Sequence, residues 1–289
     1  MNKTIIIFGT GRSGTTVISN IICNHIKIAF PSQYQNRFPK WLSINRLRYL
    51  FDTRLFRSIF GALVGDKILD RIIFNPVEAY DMWEYLTDKG TDFSRDFLLD
   101  REVSKKEKSF IIKYFSKLVR KQNKEHLVFK ITGPSRLKYL LSIFPEAYYI
   151  HVTRDPIPTI SSFLKVDFWK SRGARKLWWL GAYSNEELDR ISKFQSDPLA
   201  MTSFQIKKLI DTTKIEIEQN KLKYINIEYE KFIAKPKETI NKIFEFIDLR
   251  CDEACLSYLN ELRIKNTDRV HTDYFSTPEL DRIDTILSK

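Results

Sequence analysis

The apolar positions of this chain fall into short solid runs separated by longer stretches with a helical period. The runs are Ile-Ile-Ile-Phe at 5–8, Leu-Val-Phe-Lys-Ile at 127–131, Ala-Tyr-Tyr-Ile-His-Val at 147–152 and Leu-Lys-Tyr-Ile-Asn-Ile at 222–227. Runs of this length, rich in β-branched and aromatic residues and bounded by turn formers, predict buried strands. Residues 17–26, 76–88, 104–123, 135–144, 201–220, 236–247, 252–262 and 278–287 predict helices. Pro76 stands at the start of one, and Ser135 is placed to cap another. A further helix is expected to run from Pro156 to about residue 164, while 167–182 reads as a loop or broken helix and 266–274 as a polar loop. Strands alternating with helices predict an α/β fold, a mostly parallel central sheet with helices on both faces. With no repeats or long linkers, residues 1–289 are expected to form a single domain with a helical insertion at about 30–125.

Composition narrows the picture in two ways. The 289 residues carry 48 Lys and Arg against 36 Asp and Glu, a net charge of +12, which favours anionic ligands without choosing among them. No apolar run is long enough to span a membrane, and the short run at 5–8 is not a secretory leader, so a cytoplasmic location is expected. Cys23, Cys251 and Cys255 with four scattered histidines give no metal-ligand spacing, and no metal is expected. No nucleic-acid motif is present. Residues 37–63 alternate Arg and Lys with Trp, Leu, Phe and Ile. They read either as a helix with its arginines in water or as a peripheral contact with a membrane surface.

The chemistry concentrates after the first strand, in Gly9-Thr10-Gly11-Arg12-Ser13-Gly14-Thr15-Thr16. A glycine loop that opens a helix aims backbone N–H groups at one point, and the helix dipole adds positive potential there, so a phosphate or sulfate fits. Gly9 and Gly14 have the spacing of the nucleotide-triphosphatase loop, but Thr15 stands where that loop has its lysine, and Arg12 supplies the cation instead. After the strand at 147–152, Arg154 is followed by Ser161 and Ser162 two helical turns on. An open α/β sheet binds ligands at the carboxyl ends of its strands, so the two segments together imply a ligand with two separated anionic groups.

These stretches resemble a known family. IFGTGRSGTT is similar to the 5′-phosphosulfate loop of sulfotransferases that use 3′-phosphoadenosine 5′-phosphosulfate. YYIHVTRDPIPTISSFL resembles their 3′-phosphate motif, and INIEYEKFIAKPKETINKIFEFIDL their late segment; the three occur in the family's order. The resemblance is to bacterial and Golgi-type members and implies a P-loop-like sulfotransferase architecture. It implies that Gly11, Arg12, Ser13, Gly14, Thr15 and Thr16 cradle the 5′-phosphosulfate and that Arg154 and Ser162 hold the 3′-phosphate. Tyr229 would lie near the adenine, and Arg269 would reach the 3′-phosphate from the late loop.

The activity so implied is transfer of a sulfuryl group to a hydroxyl of a carbohydrate, glycolipid or small metabolite, without a metal. Arg12 would stabilise the leaving phosphate and Lys130 would reach the transferring group. Cytosolic relatives carry a basic histidine two residues after that lysine, where this chain has Thr132. Relatives of the bacterial and Golgi type use a glutamate after the first helix. Glu78, expected to open the helix at 76–88, is the candidate general base, with Glu84 and Asp52 in reserve. His151, inside a strand, reads as a core histidine. Trp169, Trp178 and Trp179 with Lys170, Arg172, Arg175 and Lys176 suit either a lid over a sugar acceptor or core packing. Two other readings compete: a P-loop kinase using ATP and Mg²⁺, and a non-catalytic anion- or membrane-binding protein.

Overall fold

The computed structural model describes residues 1–48, 59, 74–194, 196–262 and 270–288. Five parallel strands form one sheet in the order β2-β3-β1-β4-β5: β1 Thr4–Gly9, β2 Ile28–Ala29, β3 His126–Thr132, β4 Tyr148–Thr153 and β5 Tyr224–Glu228. The predicted α/β fold is therefore what the chain adopts. Four of the strands coincide with the apolar runs. The fifth, β2, is two residues long and has too little pattern to be seen in the sequence.

The period of two along each strand divides the core between the faces. Ile6, Phe8, Leu127, Phe129, Ile131 and Tyr149 face one way and pack under helices Tyr80–Leu86, Lys105–Lys121 and Leu137–Ile143. Ile5, Ile7, Val128, Ile150, Val152 and Ile227 face the other way, under helices Thr15–Cys23, Pro236–Phe246 and Glu253–Glu261. With both faces covered, the strands read as solid apolar runs rather than alternating ones. A third cluster, holding Phe97, Phe163, Trp169 and Trp179, joins helices Pro156–Leu164 and Pro198–Gln219.

Two local expectations are corrected. Ser135 does not cap the helix that follows β3. Its hydroxyl donates to the buried carboxylate of Glu216, and Leu137–Ile143 begins after Arg136 at φ 53° with no side-chain cap. Nor does Glu78 open a helix: Pro76 bridges to Ser32 in an antiparallel pair, Val77 donates to the Pro31 carbonyl, and the helix Tyr80–Leu86 starts only after Ala79. The pairing holds 76–78 extended, which a local helical pattern cannot reveal. The helix Asn185–Ser192, with its Ser184–Glu187 capping box, was not predicted from the apolar pattern although Ser-Asn-Glu-Glu carries the signature.

Candidate active site

β1 is central, and the chain leaves it toward β2 on one side while β4 lies on the other. The loops after β1 and β4 diverge there and leave a crevice at the carboxyl edge, the switch point where open α/β sheets hold ligands. The helix Thr15–Cys23 begins at Gly14, at φ 91°, with no capping side chain and no acid in its first turn. Its first N–H groups are thus available to an anion. Arg12 is also left-handed, at φ 67°. A Cβ on Gly14 would lie 2.1 Å from Cδ2 of Tyr229, so that position needs glycine for its conformation and for the ring seated on it.

The loops are tied across the crevice. The Arg154 guanidinium donates to the Arg12 carbonyl at 2.9 Å, and Nε of Arg12 donates to Oγ of Ser162 at 2.9 Å. Arg154 also lies 4.8 Å from the centroid of the Tyr229 ring, a cation–π contact. Arg12, Arg154, Ser162 and Tyr229, drawn from three widely separated segments, thus form one cluster. Asp155 caps the following helix through the Ile157 N–H at 2.8 Å, and its other oxygen meets Nε2 of His271 at 2.6 Å. The late segment therefore reaches the Arg-Asp-Pro turn. Arg269 itself, and the reserve base Asp52, lie outside the described residues.

Lys130 shares the face of Val128 on β3, so its side chain runs under the glycine-loop helix. It is only 5 % exposed, not a strand-end lysine in water. Its ammonium donates to Oγ1 of Thr16 at 2.7 Å and lies 3.5 Å from Oε1 of Glu78. Glu78, on an extended segment rather than a helix, is thereby beside the first turn of the loop helix. Glu84 is exposed on helix Tyr80–Leu86, where partial desolvation and the nearby Asp92 and Asp81 raise its carboxyl pKa. Ser13 is fully buried and gives its hydroxyl to the Thr10 carbonyl at 2.6 Å, which shapes the loop, and Thr15 is buried as well. Arg12 and Thr16 are the exposed loop positions, with Thr10, Gly11 and Gly14 half-buried.

Around this centre the sequence signals separate. His151 stacks on Phe8 at 4.7 Å and is half-buried rather than in the core, and desolvation pulls its pKa down to about 4, which keeps it neutral. Trp169 and Trp179 are buried, while Trp178 lies between Arg95 and Arg172, each guanidinium 4.7 Å from its ring. Trp179 packs beneath Gly133 after β3, and Phe163 beneath Gly11, so one aromatic floor supports both loops. Two residues at the strand ends carried no sequence signal. Tyr80 donates its hydroxyl to the Thr132 carbonyl at 2.8 Å, with its pKa pushed up to about 12 by burial. The buried Arg136 holds the carbonyls of Pro134 and Asp96, with burial pulling its guanidinium down to about 10. Among the described residues no group of His, Cys, Asp and Glu could hold a metal ion.

The uncapped glycine-loop helix with Arg12 and Arg154 beside it suits an anionic ligand. Comparisons with known proteins agree on the fold. The architecture is similar to the sulfotransferase STF9 of Mycobacterium avium, at 18% identity over 99% of this chain and 75% of that one, with a TM-score of 0.61. It is also similar to the sulfotransferase STF1 of Mycobacterium tuberculosis H37Rv, at 13% identity over 100% and 77% of the two chains, with a TM-score of 0.52. A sulfotransferase domain from the curacin biosynthetic pathway matches at 13% identity over 96% and 83%, with a TM-score of 0.50. No curated protein sequence matches the chain. Residues 4–253 match the description "Sulfotransferase family", a span that takes in all five strands and both loops of the crevice, and the chain belongs to that family.

Proposed function

We propose that the protein is a sulfotransferase that takes 3′-phosphoadenosine 5′-phosphosulfate as co-substrate and a hydroxyl-bearing molecule, a carbohydrate, glycolipid or small metabolite, as acceptor. The observation that carries the reading is the Arg12–Ser162–Arg154–Tyr229 cluster beside an uncapped glycine-loop helix. In this reading the open loop amides and Lys130 face the phosphosulfate, Arg154 and Ser162 face the 3′-phosphate, and Tyr229 borders the base. The co-substrate supplies an activated sulfuryl group; its bridging S–O bond breaks as the acceptor oxygen bonds to sulfur, and the bisphosphate leaves. Sulfuryl carries less charge than phosphoryl, so N–H donors and cations suffice to balance its spreading negative charge, in keeping with Thr15 in the lysine position.

Glu78 is the group we assign to remove the acceptor's proton. Support comes from its place 3.5 Å from Lys130, which itself reaches Thr16. The lysine orients the carboxylate and links it to the loop. We read the chain as one domain with a helical insertion at about 30–125, and as a cytoplasmic protein whose basic amphipathic segment 37–63 is either a helix face in water or a peripheral membrane contact; residues 49–58 and 60–63 of that segment lie outside the described residues. Among the described residues no helix is long and apolar enough to cross a membrane.

The test is calorimetric titration with 3′-phosphoadenosine 5′-phosphate without metal, beside ATP with Mg²⁺, for the wild type, Arg12→Ala and Arg154→Ala. Metal-free binding by the wild type, weakened about ten-fold or more in both variants, is expected. Binding of Mg-ATP instead would overturn the reading in favour of a kinase.

A further inference from the structure

We propose that residues 37–48 and the outer stripe of helix Lys105–Lys121 form one docking surface for an anionic lipid bilayer. Four large apolar side chains stand in water here: Trp41 at 58 %, Leu47 at 49 %, Phe38 at 45 % and Phe110 at 41 % exposure. Phe38, Trp41 and Phe110 belong to one continuous surface. Phe38 and Trp41 meet edge to face at 6.2 Å, and the Tyr114 hydroxyl donates to the Pro39 carbonyl at 2.7 Å. Lys40 lies 5.9 Å over the Tyr85 ring, and Tyr85 meets Phe110 at 5.7 Å. On the helix, Lys106, Phe110, Lys113 and Lys117 recur at spacings that place them on one stripe, and all four are exposed. At its far end Lys113, Lys117 and Arg120 line a shallow cavity of about 630 Å³ with Met1.

The exposed charges of the first segment and of the helix stripe are all positive. Arg37, Lys40 and Arg46 are exposed on the first segment, and the sequence has no acidic residue from 16 to 51. None of these cations, nor Lys106, Lys113 or Lys117, pairs with a described carboxylate. The acidic border is the helix Tyr80–Leu86, where Asp81 accepts from Asn36 at 3.0 Å and Glu84 is also exposed. Exposed Trp and Phe ringed by Lys and Arg is the composition of an interfacial surface. The rings sink to the headgroup level while the long cationic side chains stay with the phosphates.

The surface also has a direction relative to the cleft. Ser32, at the start of helix Gln33–Arg37, is bridged to Pro76, two residues from Glu78. A bilayer on this face thus lies on the Glu78 side, where a hydroxyl on a membrane-borne glycolipid could be presented. That last consequence rests on the sulfotransferase reading; the docking itself does not.

Co-sedimentation tests it, with vesicles of phosphatidylcholine alone and of phosphatidylcholine mixed with phosphatidylglycerol. The full-length protein is expected to bind the mixed vesicles and to be released by salt. At about five-fold per cation near an anionic surface, Lys113→Gln with Lys117→Gln should weaken partitioning roughly 30-fold at low salt. Trp41→Ser with Phe110→Ser should weaken it about ten-fold or more. Ile215→Ser, at an equally exposed apolar site on helix Pro198–Gln219, should change nothing. Bisphosphate affinity in solution should be unchanged in every variant, which separates a docking failure from a folding failure or from failure of the donor assignment. Equal binding to neutral and mixed vesicles, no binding to either, or wild-type binding by the variants would overturn the proposal. So would light scattering that shows a dimer lost in Trp41→Ser/Phe110→Ser, which would assign the face to self-association.

Discussion

Gly14→Ala is the sharpest probe of how the loop is built. The residue sits at φ 91°, and its new methyl would fall 2.1 Å from Cδ2 and 2.5 Å from Cε2 of Tyr229. Two costs can be separated. A side chain held in the left-handed region costs about 1–2 kcal/mol, and overpacking a fixed neighbour adds about 1–3 kcal/mol. The ring has little room to retreat, because Tyr229 is the first residue of the helix that follows β5 directly and carries Arg154 on its face. The sum, about 2–5 kcal/mol, is a large share of a domain's usual stability. The assay is urea unfolding of wild type, Gly14→Ala, Tyr229→Ala and the double variant. With the ring removed only the conformational cost remains, so the cycle should show a coupling of about 1–3 kcal/mol. Equal cost of Gly14→Ala in both backgrounds would refute the seating of Tyr229 on the loop. No cost in either would refute the left-handed turn itself. Bisphosphate affinity should fall in Gly14→Ala, since the first-turn amides shift with the loop.

Three further outcomes follow from the same geometry. Glu78→Gln should lower turnover by roughly 10²–10⁴-fold, the usual worth of a general base, while leaving bisphosphate affinity within a few-fold of wild type; unchanged turnover in a panel of hydroxyl acceptors would remove Glu78 from the reaction. Arg154→Ala should weaken the bisphosphate by about 10–100-fold, the range of a charge-assisted hydrogen bond, and adenosine 5′-phosphosulfate, which lacks the 3′-phosphate, far less; equal losses for both ligands would place Arg154 elsewhere. His151 gives a pH dependence. Burial lowers its folded pKa to about 4 from an ordinary 6.5, so between those values the unfolded chain binds the extra proton and stability falls as pH falls. His151→Phe, which keeps the stack on Phe8, should lose about 2–3 kcal/mol less than wild type between pH 6.5 and 4.5 in urea unfolding; parallel pH profiles would exclude His151 as the source.

The sequence determined the fold class, because strands buried on both faces write their burial as unbroken apolar runs, and 5–8, 127–131, 147–152 and 222–227 needed only local reading. It also marked the glycine loop and the Arg154–Ser162 spacing, since a tight turn and a helix N-terminus constrain residue type within a few positions. Only the tertiary structure decided what those residues touch. Strand order carried the turn after β4 to the loop after β1, so Arg154 meets the Arg12 carbonyl although the two are 142 residues apart. The parity of β3 sent Lys130 beneath the loop helix to Thr16, and the Ser32–Pro76 bridge unwound the expected helix start and left Glu78 beside that lysine. Ser135 shows the same limit: its pattern promised a cap, but a glutamate 81 residues further on offered a buried acceptor and took its hydroxyl. Burial, hydrogen-bond partner and charge environment are properties of neighbours in space, and sequence records only neighbours along the chain.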